Sequence, residues 1–486
     1  MTAPPTSASV RIQPFIRGAF TPSAGGGTFP DLNPSNPDDV VAQVPSGAAD
    51  DVVRATTAAE EAFEAWRALP GPARAEHLQK WAEVIGTRRE ALAQAMSREV
   101  GKPIGEARGE VGRGEVILRY YAGEAVRQIG EVIPAQAPDA LQLTLREPLG
   151  VVGLITPWNF PFAIPLWKAA PALAFGNTVV LKPAEDSSAM ASLLAETALQ
   201  AGIPAGVFNV IPGTGATVGS ALIDAPPVRA VSFTGSAAVG ASVAAACAAR
   251  NIRYQTEMGG KNVVIVAGDA DLDRAAALTA AGAMRYAGQK CTATSRAILL
   301  RPIADRFLAK LKEQVEALPL GPVDDPKSAV GPLINAKARD RVSAAVKGAG
   351  DFVTGGAPPA DPRFHKGYFF SPTVVRDVAP DSRLATEEIF GPVLATFVVD
   401  DLDQAIALAN STKYGLSASL FTRDLSSAVR YVRRIDAGLV RVNGDTTGVD
   451  PHAPFGGVKG SSSGSREQGP AAREFYTEIK TVQIHP

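Results

Sequence analysis

The chain has 486 residues, 46% of them apolar and 20% charged, which is ordinary for a globular protein and favours neither a disordered nor a fibrous class. Its 48 basic and 49 acidic side chains leave a formal charge of −1, so composition gives no electrostatic argument for a nucleic-acid or membrane partner. At about 150 residues per domain the length predicts two or three folded units, and no apolar run is long enough to span a bilayer.

The first part of the chain is predicted to be mainly helical. The stretch from Met1 to Ile16 lacks an apolar run and does not resemble a secretory signal. From Ala48 to Arg127, three segments of helical periodicity alternate with breaks at Pro70-Gly71-Pro72 and Gly101-Lys102-Pro103. Leu141 to Arg146 then alternates apolar and polar residues, which predicts an exposed ribbon that can pair with another subunit.

The rest of the chain repeats short apolar runs separated by helical patterns, the arrangement of parallel sheets covered by helices. A first series comprises Val151–Ile155, Thr178–Leu181, Val207–Ile211 and Val228–Phe233. A second series comprises Asn262–Val266, the helical Asp271–Arg285, Ala297–Leu300, Val393–Val399 and Leu439–Asn443. We therefore predict two α/β domains, and a C-terminal strand over Glu474 to His485 that suits a subunit interface.

The only two cysteines are Cys247 and Cys291, which argues against a disulfide framework and favours a reducing, cytoplasmic location. The four histidines show no ligand spacing with them, so we predict no metal site. Cys247 lies in an alanine-rich helix and is interpreted as a packing residue. Cys291 follows Gly288 at the end of a helical pattern, a bend that suits a nucleophile, although a single cysteine is more often a packing residue.

Two further residues suit carbonyl chemistry. Asn159 lies between Pro157 and Pro161 after a strand, so a stiff loop can hold its amide as a donor to an oxyanion. A turn asparagine bonded to its own backbone is the alternative. Glu257 is expected at a strand end facing a crevice, where a carboxylate can activate water, although an isolated glutamate is more often a solvated loop residue.

Residues of the kind that bind a dinucleotide follow several strands. Lys182 and Glu185 suit ribose hydroxyls. Gly213-Thr214-Gly215 and Phe233-Thr234-Gly235-Ser236 stand before helix N-termini, which suit pyrophosphate. Neither segment matches the G-x-G-x-x-G fingerprint, and each alone is a weak signal. Four successive strand ends of this type nevertheless indicate a dinucleotide site.

Together these residues resemble the aldehyde dehydrogenase superfamily, through seven motifs in the family's order: Thr156–Pro161, Lys182–Glu185, Phe233–Ser236, Glu257–Lys261, Gly288–Cys291, Glu388–Pro392 and Pro454–Gly457. The resemblance covers nearly the whole chain. It implies an α/β fold with a Rossmann-type dinucleotide-binding domain at 1–125 and 148–257 and an α/β catalytic domain at 258–460. It also implies a small β bridging and oligomerisation element at 126–147 and 461–486, and a homodimer or homotetramer.

The resemblance also implies residue roles. Cys291 is the nucleophile, Asn159 with the Cys291 N–H binds the oxyanion, and Glu257 is the general base. The cofactor site comprises Ile155, Thr156, Pro157, Trp158, Lys182, Glu185, Gly215, Gly219, Phe233, Gly235, Ser236, Gly259, Glu388 and Phe390. The substrate site comprises Phe160, Trp167, Lys290, Thr292 and Phe455. NAD is favoured because the Glu185 carboxylate repels a 2′-phosphate, while Lys182 leaves NADP open.

Three segments are similar to 2-oxoglutarate semialdehyde dehydrogenases: Gly288–Arg296, Gly456–Ser462 and Ser465–Gly469. Enzymes that oxidise succinate semialdehyde or aromatic aldehydes share parts of them. We expect an acidic substrate tail to meet a mouth formed by Lys290, Thr292 and Arg296. Two other functions stay open, a catalytically silent dinucleotide-binding protein and a CoA-dependent or acyl-phosphate-reducing enzyme of the same architecture. Glu257 disfavours the latter because a water-activating base serves hydrolysis.

Overall fold

The computed structural model describes residues 10–127 and 130–486. Most strands belong to an eight-stranded and a seven-stranded sheet, and three smaller sheets hold the others, including one formed by Val10–Arg11, Thr28–Leu32 and Val40–Pro45. Of the helices in the described ranges, none is both long and apolar enough to cross a membrane.

The N-terminal helical layer contains four helices where the sequence predicts three. They are Ala49–Ala68, Gly71–Thr87, Arg89–Val100 and Ile104–Glu124. Arg88 alone separates the second helix from the third, so the apolar periodicity continues across the break and conceals it. The last helix packs against Gly71–Thr87 and Ala163–Ala174, which brings its side chains to the candidate site.

The eight-stranded sheet confirms the first predicted series, with strand ends shifted by one residue at most. Its order is Ser462–Ser463, Arg253–Glu257, Val228–Thr234, Val151–Ile155, Thr178–Lys182, Phe208–Val210, Phe15–Ile16 and Ala19–Phe20. The five central strands are parallel and mostly buried, as expected when helices cover both faces. The carboxyl ends of the parallel strands therefore place Ile155, Lys182, Thr234 and Glu257 along one edge.

The seven-stranded sheet confirms the second series. Its order is Asp351–Thr354, Thr373–Arg376, Val393–Val399, Arg296–Leu300, Val263–Val266, Ser417–Phe421 and Leu439–Val442. The first, second and sixth of these strands were not predicted. Helices accompany both sheets: Ser188–Gln200, Ser220–Asp224, Ala237–Ala249, Leu272–Met284, Ala304–Glu316, Ala336–Val346, Leu402–Asn410 and Leu425–Arg434.

The predicted ribbon is confirmed as the strand Leu141–Pro148, which pairs antiparallel with Thr477–Ile484 along its whole length and with Val132–Ile133 at its other edge. The predicted C-terminal strand begins too early, because Ala471–Tyr476 is a helix whose aromatic end is buried. Residues 1–9, 128 and 129 of the predicted domains lie outside the described residues. The predicted domain boundaries stay a prediction.

Candidate active site

The loop that carries Cys291 has an unusual backbone conformation. Tyr286 and Ala287 adopt left-handed φ angles of 55° and 51°, which cost roughly 1–2 kcal/mol each. Gly288 follows with φ of 64°, and a Cβ there would lie 2.3 Å from the carbonyl oxygen of Gly391. Glycine is therefore required at this position. Cys291 emerges from the turn partly exposed.

Gln289 anchors this loop and connects it to the predicted oxyanion donor. Its Nε2 donates to the Pro332 carbonyl at 3.1 Å, and its Oε1 accepts from the Ile334 N–H at 2.9 Å. Its own carbonyl accepts from Asn159 Nδ2 at 2.9 Å. The amide of Asn159 and the loop of Cys291 are therefore held together, and the second Nδ2 hydrogen is left for another acceptor.

A buried ion pair fixes the backbone of the Asn159 loop. Lys102 and Glu110 pair without contact with solvent, and Lys102 Nζ also donates to the Asn159 carbonyl at 2.7 Å. Glu110 Oε1 accepts from the backbone N–H groups of Phe162 and Ala163 at 2.9 and 3.0 Å. Removing one partner of such a pair costs about 3–5 kcal/mol. The pair therefore holds the loop rigidly behind the amide.

Glu257 ends its strand as predicted and is 1% exposed. Its Oε2 accepts from Ser462 Oγ at 2.6 Å, and its Oε1 has no hydrogen-bond partner in the described part of the chain. Burial and the neighbouring Glu467 raise the pKa of Glu257 well above its usual range, against the opposing effects of Ser462 and Lys168. Burial therefore favours the neutral form of this carboxyl, whereas a general base acts in its ionised form.

Burial likewise favours the protonated form of the Cys291 thiol. Removal from water, together with the carboxyl groups of Glu388 and Glu257, raises the pKa of Cys291 to about 12, while the backbone N–H groups of Thr292 and Cys291 itself lower it. Burial raises the pKa of Glu388 to about 7, although Gly260 N–H donates to this carboxyl at 3.1 Å. A thiol must lose its proton before it attacks a carbonyl carbon.

Three cavities lie at the predicted site residues. An adenosine-side cavity of about 630 Å³ is lined by the predicted Ile155, Gly215, Gly219 and Phe233. A central cavity of about 440 Å³ is lined by the predicted Pro157, Trp158, Gly235, Ser236, Gly259, Glu388 and Phe390. A substrate-side cavity of about 540 Å³ is lined by all five predicted substrate residues, Phe160, Trp167, Lys290, Thr292 and Phe455.

The three cavities form one series. Ala238 lines both the adenosine-side and the central cavity, and Cys291 lines both the central and the substrate-side cavity. Ala238 lies in the first turn of the helix Ala237–Ala249, whose N-terminal N–H groups suit a pyrophosphate. An apolar cavity, a helix N-terminus and a second cavity that ends at a thiol fit a nicotinamide dinucleotide.

Four predicted residues line none of the three cavities: Thr156, Lys182, Glu185 and Glu257. Glu185 accepts from the N–H of Gly215, a lining residue, at 3.0 Å, and Lys182 Nζ donates to the Pro183 carbonyl at 2.7 Å. Glu257 is close enough to Cys291 to raise the pKa of the thiol.

The prediction that Arg296 contributes to the substrate mouth is wrong. Its guanidinium donates to the carbonyl groups of Leu408 and Ala409 at 3.0 and 2.7 Å and is buried away from the substrate-side cavity.

Sequence reasoning missed several charged lining residues. Glu106, Arg113 and Arg285 line the substrate-side cavity, and Arg341 and Lys413 line the central one. The helix spacing offered a signal, because Glu106 and Arg113 are seven residues apart and therefore share one helix face.

The family model described as "Aldehyde dehydrogenase family" matches residues 20–482. The chain belongs to the aldehyde dehydrogenase family. It is 46% identical over 476 residues to the alpha-ketoglutaric semialdehyde dehydrogenase of Bacillus subtilis (strain 168), covering 97% of this chain and 98% of that protein.

Solved structures agree with the fold of this aldehyde dehydrogenase. The NAD-dependent aldehyde dehydrogenase from Sinorhizobium meliloti superposes with a TM-score of 0.95 at 38% identity, covering 99% of this chain and 96% of the other. An E. coli NADP dependent enzyme superposes with a TM-score of 0.94 at 38% identity, covering 98% of each chain. The predicted family, fold and oxidoreductase class are confirmed.

Proposed function

We propose that this aldehyde dehydrogenase oxidises 2-oxoglutarate semialdehyde to 2-oxoglutarate with NAD as the electron acceptor. The observation that carries the proposal is that Cys291 lines both the central and the substrate-side cavity. A thiol in this position can hold an aldehyde on one side while an acceptor occupies the other. The near full-length similarity to the Bacillus subtilis enzyme supports the choice of aldehyde.

Cys291, Asn159 and Glu257 each have a separate role in the proposed reaction. The Cys291 thiol gives its proton to water, and its sulfur bonds to the aldehyde carbon as the carbonyl π bond breaks, so negative charge develops on the aldehyde oxygen. Asn159 Nδ2 has one N–H directed to Gln289 and donates the other to this oxygen. A bound nicotinamide dinucleotide would supply the hydride acceptor for this carbon, and loss of the hydride would leave an acyl thioester on Cys291. Water attacks the thioester as the ionised Glu257 carboxylate takes its proton, the C–S bond breaks to release the acid, and the sulfur recovers a proton from Glu257.

The alternative functions are less well supported. Release to CoA needs no water-activating base, whereas Glu257 is buried at a strand end with one oxygen held by Ser462. A silent protein has no use for Cys291 and Asn159, whose loops are joined through Gln289. Succinate semialdehyde and aromatic aldehydes use the same chemistry and are separated only by substrate comparison.

We propose NAD rather than NADP because of the charge beside the adenosine-side cavity. The Glu185 carboxylate contacts Gly215 in the wall of that cavity, where it would repel a 2′-phosphate. Lys182 opposes this effect, but its ammonium group donates to the Pro183 carbonyl. A KM for NADP below that for NAD would contradict this part of the proposal.

We also propose that the protein is cytoplasmic and forms a homodimer or homotetramer. Its domains are proposed to have the boundaries predicted from the sequence. The strand Thr477–Ile484 is the edge of its sheet and exposes Ile479 and Ile484 at 60% and 52%. An exposed apolar edge strand is a template for pairing with a second copy. Light scattering should show a lower mass for Ile479→Lys than for the unmodified chain, and an unchanged mass would refute this interface.

The substrate is tested by comparing kcat/KM for 2-oxoglutarate semialdehyde, succinate semialdehyde, benzaldehyde and pentanal with NAD, with and without CoA. We expect the highest value for 2-oxoglutarate semialdehyde and the free acid as product in both cases. Cys291→Ala should abolish turnover. A preference for benzaldehyde or pentanal, or an acyl-CoA product, would overturn the proposal.

A further inference from the structure

The substrate-side cavity contains a cation whose charge is not neutralised. The cationic side chains that line it are Arg113, Arg285, Lys290 and Lys327. Lys290 is already paired with Glu106 at 2.8 Å. Arg285 and Lys327 are exposed to solvent, which screens their charge. Arg113 is the half-buried member of the group.

Within residues 10–127 and 130–486, the Arg113 guanidinium has no hydrogen bond, and no carboxylate lies within 4 Å of it. Burial lowers the pKa of Arg113, and only Asp450 and Glu110 oppose this effect, both acting through space. Glu110 is already committed to Lys102 and to the backbone N–H of Phe162. A partly desolvated cation without a partner costs free energy that a bound carboxylate would recover.

A second donor in the same cavity is also unused. Trp167 is 6% exposed and its indole N–H has no partner in the described chain. The Trp167 and Phe455 rings lie 5.5 Å apart and form an apolar wall of the cavity. The lining of the cavity therefore combines the Cys291 thiol, an aromatic wall that suits methylene groups, and donors for oxygen atoms.

We propose that Arg113 binds the carboxylate at the end of the substrate remote from the aldehyde and so selects acidic semialdehydes. This inference rests on the proposed function, since it supplies the recognition that the proposed substrate needs. A guanidinium can donate two parallel N–H bonds to one carboxylate, which fixes the orientation of the chain as well as its charge. The Trp167 indole N–H is available to the 2-oxo oxygen.

The test compares 2-oxoglutarate semialdehyde with pentanal, an uncharged aldehyde of the same chain length. In Arg113→Met, kcat/KM for 2-oxoglutarate semialdehyde divided by kcat/KM for pentanal should fall about 10- to 100-fold, because a charge-assisted bidentate contact with the acid is lost. The loss should lie mainly in KM for the acid. Arg113→Lys should retain part of the ratio. Arg119→Met, an exposed arginine on the same helix, should leave the ratio unchanged.

Binding gives a second readout that does not require turnover of the acid. Glutarate should inhibit the oxidation of pentanal competitively in the unmodified enzyme, and its inhibition constant should rise in Arg113→Lys. If Arg113→Met does not fold, this variant decides the question. An unchanged substrate ratio and an unchanged glutarate constant would overturn the role of Arg113 alone. A preference of the unmodified enzyme for pentanal would instead overturn the proposed substrate.

Discussion

Replacing Glu257 by glutamine separates the two halves of the proposed reaction. Glutamine has nearly the same shape, and its amide oxygen can still accept the 2.6 Å hydrogen bond from Ser462. What is lost is the group that takes a proton from water. General base catalysis contributes roughly 10²- to 10⁴-fold, equivalent to about 3–5 kcal/mol. We therefore expect kcat to fall by about that factor.

Formation of the thioester should survive this change. The Glu257 carboxyl is one of the groups that raise the pKa of Cys291, so its replacement does not make the thiol harder to ionise. In a stopped-flow experiment, Glu257→Gln should give a burst of about one reduced nicotinamide per site before a slow steady state. In the unmodified enzyme the steady-state rate should rise with pH, because the Glu257 carboxyl has a raised pKa and must be deprotonated to act as a base. Glu257→Gln should lack this rise.

The control is Glu313→Gln, an exposed glutamate on the helix Ala304–Glu316, which should behave like the unmodified enzyme. Loss of the burst in Glu257→Gln would assign the carboxyl to thiol activation instead of hydrolysis. An unchanged kcat would show that another group activates water. Either result would refute the division of roles.

Three other changes probe the same site. Asn159→Ala should lower kcat/KM about 10²- to 10³-fold through loss of an oxyanion donor, and a loss below tenfold in steady-state assays would count against this role. Glu388→Gln removes a carboxyl that raises the pKa of Cys291, so iodoacetamide should alkylate the thiol severalfold faster at pH 8; an equal or slower rate would contradict the electrostatic account. Burial lowers the pKa of Lys182 to about 8, so its positive charge is present below pH 8 and lost above it. KM for NADP should therefore rise more steeply than KM for NAD from pH 7 to 9. Parallel pH profiles of the two KM values would show that Lys182 does not contribute to binding the 2′-phosphate of NADP.

Strands of both large sheets could be predicted because buried strands are visible in the sequence as short apolar runs. Val151–Ile155 has no polar side chain and Val393–Val399 has only Thr396, since helices cover both faces of their sheets, and the structure reproduces the predicted bounds of both strands. The boundary at Arg88 was not predictable, because two helices that meet at one residue share an unbroken apolar periodicity.

Site residues that lie in motifs at strand ends could be predicted from the sequence. Site residues that reach the cavity only through the packing of distant elements could not. Arg296 is close to Cys291 in sequence, yet it begins the strand Arg296–Leu300 and its guanidinium binds carbonyl groups remote from the cavity. Arg113 is remote from Cys291 in sequence and still faces the same cavity. Helix periodicity places Arg113 on a face, but only packing shows what that face meets.

The surroundings of Glu257 explain how a buried carboxyl can serve as a base although it lines none of the cavities. Ser462 Oγ accepts from the N–H of Gly457 at 2.6 Å and donates to Glu257 Oε2 at 2.6 Å. Because the Gly457 N–H can only donate, the Ser462 hydroxyl accepts from it and directs its own proton at the carboxyl. One carboxyl oxygen is thereby fixed, and Oε1, unpartnered in the described chain, is the atom left to receive a proton from water. The same burial that raises the pKa of Glu257 also raises that of Cys291, because a charged form of either group would be poorly solvated there.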